Sequence, residues 1–216
     1  MRLLKFILRI FFLSFLFSAS YSFNLTLIKY KGGDHYNARK GVANFITEVK
    51  KRTNIRIEDK FYELSLDDPE IFNHYFLILN GHVPVELDDV EKKNLKLFLE
   101  NGGFLFANDD YGMDKSFRKI MAELFPSNPL VEIPFNHSIY HCFYSFKDGL
   151  PKIHEHEPGP PKAYGIFLKE RLAVFYVYNA DIMDGWDPPE VHNDPPWKRE
   201  EAIKMGINIL VYALLN

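Results

Sequence analysis

The sequence has 216 residues, of which 47% are hydrophobic, 16% aromatic and 25% charged, and its formal net charge is -3. This composition excludes a disordered chain and fits one domain of ordinary size with a well-filled core. Lysine and arginine are scattered through the chain, which excludes the basic stripe that a nucleic-acid-binding surface requires.

The first 22 residues have the order of a secretory signal peptide. Arg2, Lys5 and Arg9 precede an apolar stretch at 10–17, and small residues follow it. We therefore predict a signal peptide over 1–22, a single domain over 23–216 and a periplasmic or secreted location. An uncleaved signal that anchors the chain in a membrane is the alternative, and we expect membrane contact through that segment alone.

Beyond this leader, apolar strand-like runs alternate with helix-like segments, which is typical of an α/β domain with a mostly parallel sheet. The pattern predicts a strand at 25–30, an amphipathic helix around 42–49 and a short second strand at 55–57. Acid followed by proline at 67–72 indicates a helix start. The continuously apolar run at 74–82 is typical of a buried parallel strand.

The next helix and strand are predicted from capping chemistry. Asp88 and Glu91 have the spacing of a capping box, and the helix that they begin ends at 101–103, which reads Asn-Gly-Gly. A strand is predicted at 104–107. Asp114 is then expected to cap the following helix.

The last third combines irregular loops with two strands and a helix. Residues 126–161 are rich in proline and histidine and predict an ordered loop region. Residues 163–178 predict an antiparallel pair of strands joined tightly at Lys169 and Glu170. The apolar face at 202–213 predicts a closing helix that packs on the sheet. The resulting fold class is a three-layer α/β/α sandwich, flavodoxin-like, with an antiparallel hairpin near the C-terminus.

Polar residues follow three of the predicted strands, at the edge where open α/β sheets bind ligands. The loop at 126–161 adds His137 and His141, which one helical turn would place on the same side. We therefore predict that this edge binds a ligand, with contacts from Gly32, Gly33, Asp34, Tyr36, Gly81, Asp110, His137 and His141.

Imidazole and carboxylate groups at this edge also predict chemistry. They suit Zn²⁺ or another divalent transition ion, for which the predicted ligands are Asp34, His82, Asp109 and His141. His82 and Asp109 are the predicted catalytic residues of a hydrolase, with His82 as general base and a carboxylate to orient it. His141 is the alternative base. No Gly-x-Ser-x-Gly motif is present, and Cys142 lies in a predicted loop, so covalent catalysis is not favoured.

Each of these residues also has a structural interpretation. Asp34 and Asp110 would simply cap the helices that follow them. The His154-x-His156 alternation is interpreted as a solvated loop. Trp186 and Trp197 flank the loop that contains His192, and we expect them to pack that loop rather than line a pocket. The function therefore stays open at this point.

The sequence resembles a bacterial family known only as a domain of unknown function, numbered 4159, from Tyr30 to Ala213. The resemblance rests on Tyr30, Gly32, Gly33, Asp34, Tyr36, Gly81, His82, Gly102, Gly103, Phe104, Asp109, Asp110, His137, Tyr140, His141, Arg171, Trp186 and the closing MGINILVYAL. It implies a flavodoxin-like sandwich related to class I glutamine amidotransferases and to trehalose-utilisation-type domains. Those enzymes carry a Cys nucleophile at the turn that here reads Asn80, Gly81 and His82, so amidotransferase activity is not implied. Family members often carry Trp at position 35, which favours Asp34 over His35 as a ligand.

Three functions are consistent with these observations. The first is an exported domain that binds a polar ligand or a metal ion at the carboxyl edge of its sheet, with an accessory or sensory role in the cell envelope. The second is a hydrolase, metal-dependent or with a His/Asp general base, that lacks the amidotransferase Cys. The third is a non-catalytic scaffold for protein interaction. Expected partners are a small polar ligand or an envelope protein, and no nucleic acid.

Overall fold

A computed structural model describes residues 22–154 and 156–216. The predicted signal peptide lies outside this part, except for its last residue. The strands are β1 (Thr26–Lys29), β2 (Tyr62–Ser65), β3 (Phe76–Gly81), β4 (Phe104–Asp109), β5 (Val131–Glu132), β6 (Lys162–Leu168) and β7 (Arg171–Tyr178). The α-helices are α1 (Arg39–Arg52), α2 (Asp89–Glu100), α3 (Asp114–Leu124), α4 (Pro189–His192) and α5 (Pro196–Leu215). None of the helices in the described ranges is both long and apolar enough to cross a membrane.

All seven strands belong to one sheet in the order β2-β1-β3-β4-β7-β6-β5. The first five strands in this order pair in parallel, and β6 pairs antiparallel with both β7 and β5. The order β2-β1-β3-β4 begins a doubly wound sheet of the flavodoxin type, with β7 in the fifth position. The predicted α/β class with a mostly parallel sheet and a C-terminal antiparallel hairpin is confirmed. The carboxyl ends of β1, β3, β4 and β7 share one side of the sheet, which we call the carboxyl edge.

Helices cover both faces of the sheet and give three layers. Alternate residues of β3 point to opposite faces: Phe76 and Ile78 pack in the cluster that contains α1 and α5, whereas Leu77 and Leu79 pack in the cluster of α2 and α3. Every residue of β3 is buried. A strand buried on both faces needs an uninterrupted apolar run, which is why its sequence lacks the alternation of a half-exposed strand.

Several local predictions are confirmed. Asp88 accepts hydrogen bonds from the backbone of Val90 and Glu91, and the Glu91 side chain accepts one from the Asp88 N–H, which completes the predicted capping box. The hairpin turn between β6 and β7 is formed by Lys169 and Glu170, both with positive φ (51° and 68°), as a tight two-residue turn requires.

Two predictions are wrong. The second strand is not at 55–57, where Ile57 makes only an isolated bridge to Phe23. The second strand is β2, an edge strand whose four residues are all half-buried. It has no apolar run, so the sequence pattern does not predict it. Asp114 does not cap α3 either. It is the first residue of the helix, and its side chain accepts hydrogen bonds from Arg118 and Tyr176.

Candidate metal centre and ligand cleft

Asp34 and His82 meet at the carboxyl edge, as their positions after β1 and β3 predict. The Asp34 carboxylate accepts two hydrogen bonds from His82, one from the backbone N–H (3.0 Å) and one from ring Nδ1 (2.9 Å). It makes no side-chain capping bond to the 3-10 helix that follows it. Burial raises the pKa of Asp34, but the hydrogen bonds from His82 lower it by a larger amount. The pKa of Asp34 is therefore below its ordinary value. Asp34 therefore holds His82 rather than capping a helix.

Glycine permits this contact between the two loops. A Cβ atom on Gly81 would lie 1.9 Å from Tyr30 Oη and 2.6 Å from Asp34 Oδ1. One on Gly33 would lie 2.3 Å from the Tyr30 ring, and Gly32 has a positive φ of 69°. The three glycines bring Tyr30 and Asp34 close to β3, and this packing explains their presence. A contact with a ligand stays a prediction for each of them.

Asp109 has a structural role in the described fold, which differs from the catalytic and metal-binding roles predicted for it. One oxygen accepts from the backbone N–H groups of Tyr111 and Met113 (both 3.0 Å). The other accepts from the Asp114 N–H (3.1 Å) and from Tyr176 Oη (3.2 Å). With four donors on one buried carboxylate, Asp109 satisfies the start of α3 and has no oxygen left for a metal ion.

His137 and His141 contact other parts of the chain, and no contact among the described residues links either ring to His82. The ring of His137 packs 5.3 Å from that of Tyr212, at the far end of α5, and His141 Nε2 contacts the Phe135 carbonyl (2.9 Å). His137 also packs 6.0 Å from the ring of Phe167, near the end of β6, which is the side of the sheet where the parallel strands begin.

The structure assembles a different group of imidazoles and carboxylates at the carboxyl edge. We call it the histidine–aspartate cluster; it comprises His154, His156, Asp181, Asp184 and His192. His154 Nδ1 lies 2.7 Å from Asp184 Oδ2 and 3.5 Å from Asp181 Oδ2, and His156 Nε2 lies 2.8 Å from the same Asp181 oxygen. His192 Nδ1 lies 3.6 Å from Asp184 Oδ2. Two triads within the cluster, each containing His154, have their ligand atoms within 4.8 Å of one another, a spacing that a single ion can bridge.

Two of these histidines are oriented from behind by further carboxylates. His154 Nε2 is 2.8 Å from Asp194, and His192 Nε2 is 2.9 Å from Asp187. Histidines that bind metal ions commonly use their second nitrogen in this way, because the outer carboxylate fixes the ring and makes it a better ligand. Both rings consequently turn Nδ1 toward Asp184.

Three carboxylates in and beside the cluster each have a buried oxygen without a hydrogen-bond partner among the described residues. Asp181 is 1% exposed, and its Oδ1 has no hydrogen-bond partner among the described residues. One oxygen each of Asp187 and Asp194 shares this condition. A buried carboxylate oxygen without a partner is costly, so these atoms call for a further positive or donating group.

The crowding of carboxylates in and behind the cluster also favours a bound positive charge. Hydrogen bonds with Asp181 and Asp184 raise the pKa of His154 to about 10, despite its partial burial. Burial and the neighbouring Asp181 hold the pKa of Asp110 well above its usual range. Asp110 is fixed behind the cluster by hydrogen bonds from Asn80 (2.6 Å) and Asn108 (2.5 Å). A bound cation would relieve the repulsion among these carboxylates.

A cleft of ≈ 340 Å³ connects the cluster with the Asp34–His82 pair. His82 and Asp110 line it on the side of β3 and β4, and Asp184 and His192 line it on the side of the loop after β7. Tyr36, a predicted ligand contact, also lines it and is 54% exposed. The predicted residues Asp34, Tyr36, His82 and Asp110 are thus brought together, and the cluster is added to them.

Two features of the sequence explain why the cluster is not predicted. The alternation of His154 and His156 is also typical of a solvated loop, which is the role predicted for it. Asp181 and Asp184 follow β7 just as Asp110 follows β4. Treating β7 as a parallel strand, and not only as half of a hairpin, would have indicated its polar carboxyl end.

The model of one protein family, described as a domain of unknown function (DUF4159), matches residues 24–214. Among curated proteins, none matches this sequence. The family description assigns no chemistry, so the arrangement of side chains at the carboxyl edge has to carry the functional argument.

Proposed function

The chain belongs to the family described as a domain of unknown function (DUF4159), and we propose, from the arrangement of its side chains, that it binds a divalent metal ion and, through this ion, a polar ligand. The ion occupies the histidine–aspartate cluster. One observation carries this proposal: His154 and His192 both turn Nδ1 to Asp184 while separate aspartates hold their Nε2 atoms.

The donor set favours a transition ion. Each of the two triads offers two imidazoles and one carboxylate, which suit Zn²⁺ and neighbouring divalent ions, whereas Mg²⁺ and Ca²⁺ prefer sites made of oxygen alone. The unpartnered Oδ1 of buried Asp181 fits a site in which a bound ion supplies the missing positive charge.

The cleft explains how a ligand would reach the ion. Asp184 and His192 belong both to the cluster and to the cleft wall, so a group bound in the cleft lies beside the metal. Tyr36 and His82 line the same cleft and offer hydrogen bonds to such a group. Export and an accessory or sensory role in the cell envelope are part of the same proposal and rest on the composition of the first 22 residues.

Metal analysis of the purified protein tests the proposal. After incubation with Zn²⁺, Mn²⁺, Co²⁺ or Ni²⁺ and removal of the excess, we expect one tightly bound ion per chain. At a free ion concentration of 100 times Kd, binding should stabilise the fold by about 2.7 kcal/mol. This gain should be measurable as a rise in Tm.

Variants locate the ion. His154→Ala and His192→Ala should each lower the bound metal and remove the thermal shift. His141→Ala is the matched control, because it removes a histidine that the sequence predicts as a ligand but whose Nε2 contacts the Phe135 carbonyl and which belongs to neither triad of the cluster. Retention of full metal content by both cluster variants, or its loss in His141→Ala, would contradict the site.

A further inference from the structure

We propose that this metal centre is hydrolytic, an inference that rests on the proposed function. His82, held by Asp34, acts as a general base that activates water against the carbonyl of a carboxylic ester or amide bound in the cleft. The proposal adds an activity, a catalytic residue and a substrate class to metal-dependent ligand binding.

The Asp34–His82 pair has the geometry of a base and its orienting group. Asp34 fixes both the backbone and Nδ1 of His82, at 3.0 Å and 2.9 Å. A second carboxylate, Asp110, also lies on the Nδ1 side, at 3.7 Å. None of the hydrogen bonds and ion pairs among the described residues engages His82 Nε2, and the side chain is 42% exposed.

The pair therefore selects one tautomer of the ring. An ionised Asp34 accepts a hydrogen bond and cannot donate one, so the proton of a neutral His82 lies on Nδ1. Nε2 then carries the free lone pair, and His82 is one of the residues that line the cleft. A base needs this combination of a free nitrogen and an oriented ring.

Other residues of the same cleft supply the second requirement. Asp184 and His192 face the same cleft and belong to the cluster that we propose to hold the ion. A metal ion there would polarise a carbonyl oxygen. Base and ion would thus act on one bound group from two sides.

Charge and polarity of the cleft select the substrate class. Among the described residues that line it, Lys40 is the one lysine or arginine, which is a poor match for the charge of a phosphoester. Ala38, Met183 and Val191 give it an apolar part that suits an acyl chain. An uncharged acyl bond, as in an ester or an amide, fits this lining best.

The reaction is an acyl transfer to water. His82 Nε2 takes a proton as the water oxygen forms a bond with the carbonyl carbon. The bond between that carbon and the leaving oxygen or nitrogen then breaks, and the same proton passes from Nε2 to the leaving atom. The products are a carboxylic acid and an alcohol or amine, and His82 returns to its neutral state.

Kinetics on the metal-loaded full-length protein test the proposal. Nitrophenyl esters and nitroanilides of short and medium-length carboxylic acids are the probes, and metal content is measured on each preparation. The wild type should hydrolyse at least one probe, and His82→Ala should lower kcat by roughly 10²–10⁴-fold with unchanged metal content. His35→Ala is the control, because the neighbouring histidine does not line the cleft.

Asp34 is a positioning residue, and its variants need a different measurement. Asp34→Asn should lower kcat while KM stays close to that of the wild type, and Asp34→Glu should recover part of the loss. Long-range ¹H–¹⁵N spectra should show His82 protonated on Nδ1 in the wild type and lose this preference in Asp34→Asn.

Failure of this inference is distinct from failure of the proposed function. A wild type that binds metal but hydrolyses no probe, a His82→Ala variant with full activity, or His82 protonated on Nε2 would each overturn the hydrolytic role and leave the metal site standing. A chain that binds no ion would overturn the metal site directly.

Discussion

Replacement of Asp109 by alanine should destabilise the fold strongly and should not act through loss of a catalytic group. The carboxylate accepts three backbone hydrogen bonds and one from Tyr176 Oη, all between 3.0 and 3.2 Å. Its burial raises its pKa in spite of these bonds, so part of their energy is offset by desolvation.

The magnitude follows from what alanine leaves behind. Loss of a helix N-cap costs about 0.5–2 kcal/mol, and each buried donor left without a partner costs about 1–3 kcal/mol. Met113 is fully buried, whereas Tyr111 is half exposed and its N–H can recover a bond to water. We therefore expect a loss of about 3 kcal/mol rather than the full sum. For a domain of this size that corresponds to roughly 6–12 °C in Tm.

Urea denaturation of wild type, Asp109→Ala and Asp88→Ala checks this value. Asp88 caps α2 and accepts two backbone hydrogen bonds, so Asp88→Ala should lower the free energy of unfolding by about 1 kcal/mol. This variant gives the reference value for the loss of a simple helix cap. Equal urea midpoints for wild type and Asp109→Ala would refute the structural role of Asp109 and return it to the candidate catalytic residues.

Three further predictions concern the core, the single thiol and acid stability. Trp186 is buried and stacks on Phe45 with ring centroids 4.0 Å apart, so Trp186→Ala should cost about 3–5 kcal/mol in urea denaturation. Burial raises the pKa of Cys142 to about 11, so a thiol reagent at neutral pH should modify it slowly in the folded protein and fast in urea. Because folding lowers the pKa of Asp34, its ionised carboxylate stabilises the fold at pH values above the ordinary carboxyl pKa. This stabilisation is lost as the pH falls through the pKa that Asp34 has in the folded protein. Asp34→Asn should therefore lose less stability than the wild type on acidification, as measured by Tm.

Sequence patterns predicted those parts of the site that follow regular strands. The apolar runs of β3 and β4 identify parallel strands, and the rule that ligands gather at their carboxyl ends correctly groups Asp34, His82 and Asp110. Asp109 precedes Asp110 by one residue but turns to the start of α3. A positive φ at Tyr111 (125°) and at Gly112 (121°) creates that turn, and no periodic pattern encodes it.

The histidines show the corresponding limit. His137 and His154 both lie between α3 and β6, in a stretch where the path of the chain depends on packing against distant elements. His137 packs on Tyr212 of α5, whereas His154 is held by Asp181, Asp184 and Asp194. Sequence spacing alone therefore could not decide which histidine reaches the carboxyl edge.

The antiparallel hairpin explains why the cluster exists at this edge. Lys162 at the start of β6 pairs with Tyr178 at the end of β7, so the loop that enters β6 and the loop that leaves β7 lie side by side. His154 and His156 come from the first loop, and Asp181 and Asp184 come from the second. A parallel strand in the place of β6 would begin at the opposite side of the sheet and would separate them.

The two parts of the site consequently depend on different parts of the chain. Asp34 and His82 are placed by β1 and β3, and the cluster is placed by the loop before β6, the loop after β7 and the end of α4. Within the described residues, no cluster member is hydrogen-bonded to Asp34 or His82. Removal of the metal ion should therefore leave the Asp34–His82 contact intact, so that a metal-free protein keeps the His82 tautomer while it loses hydrolysis.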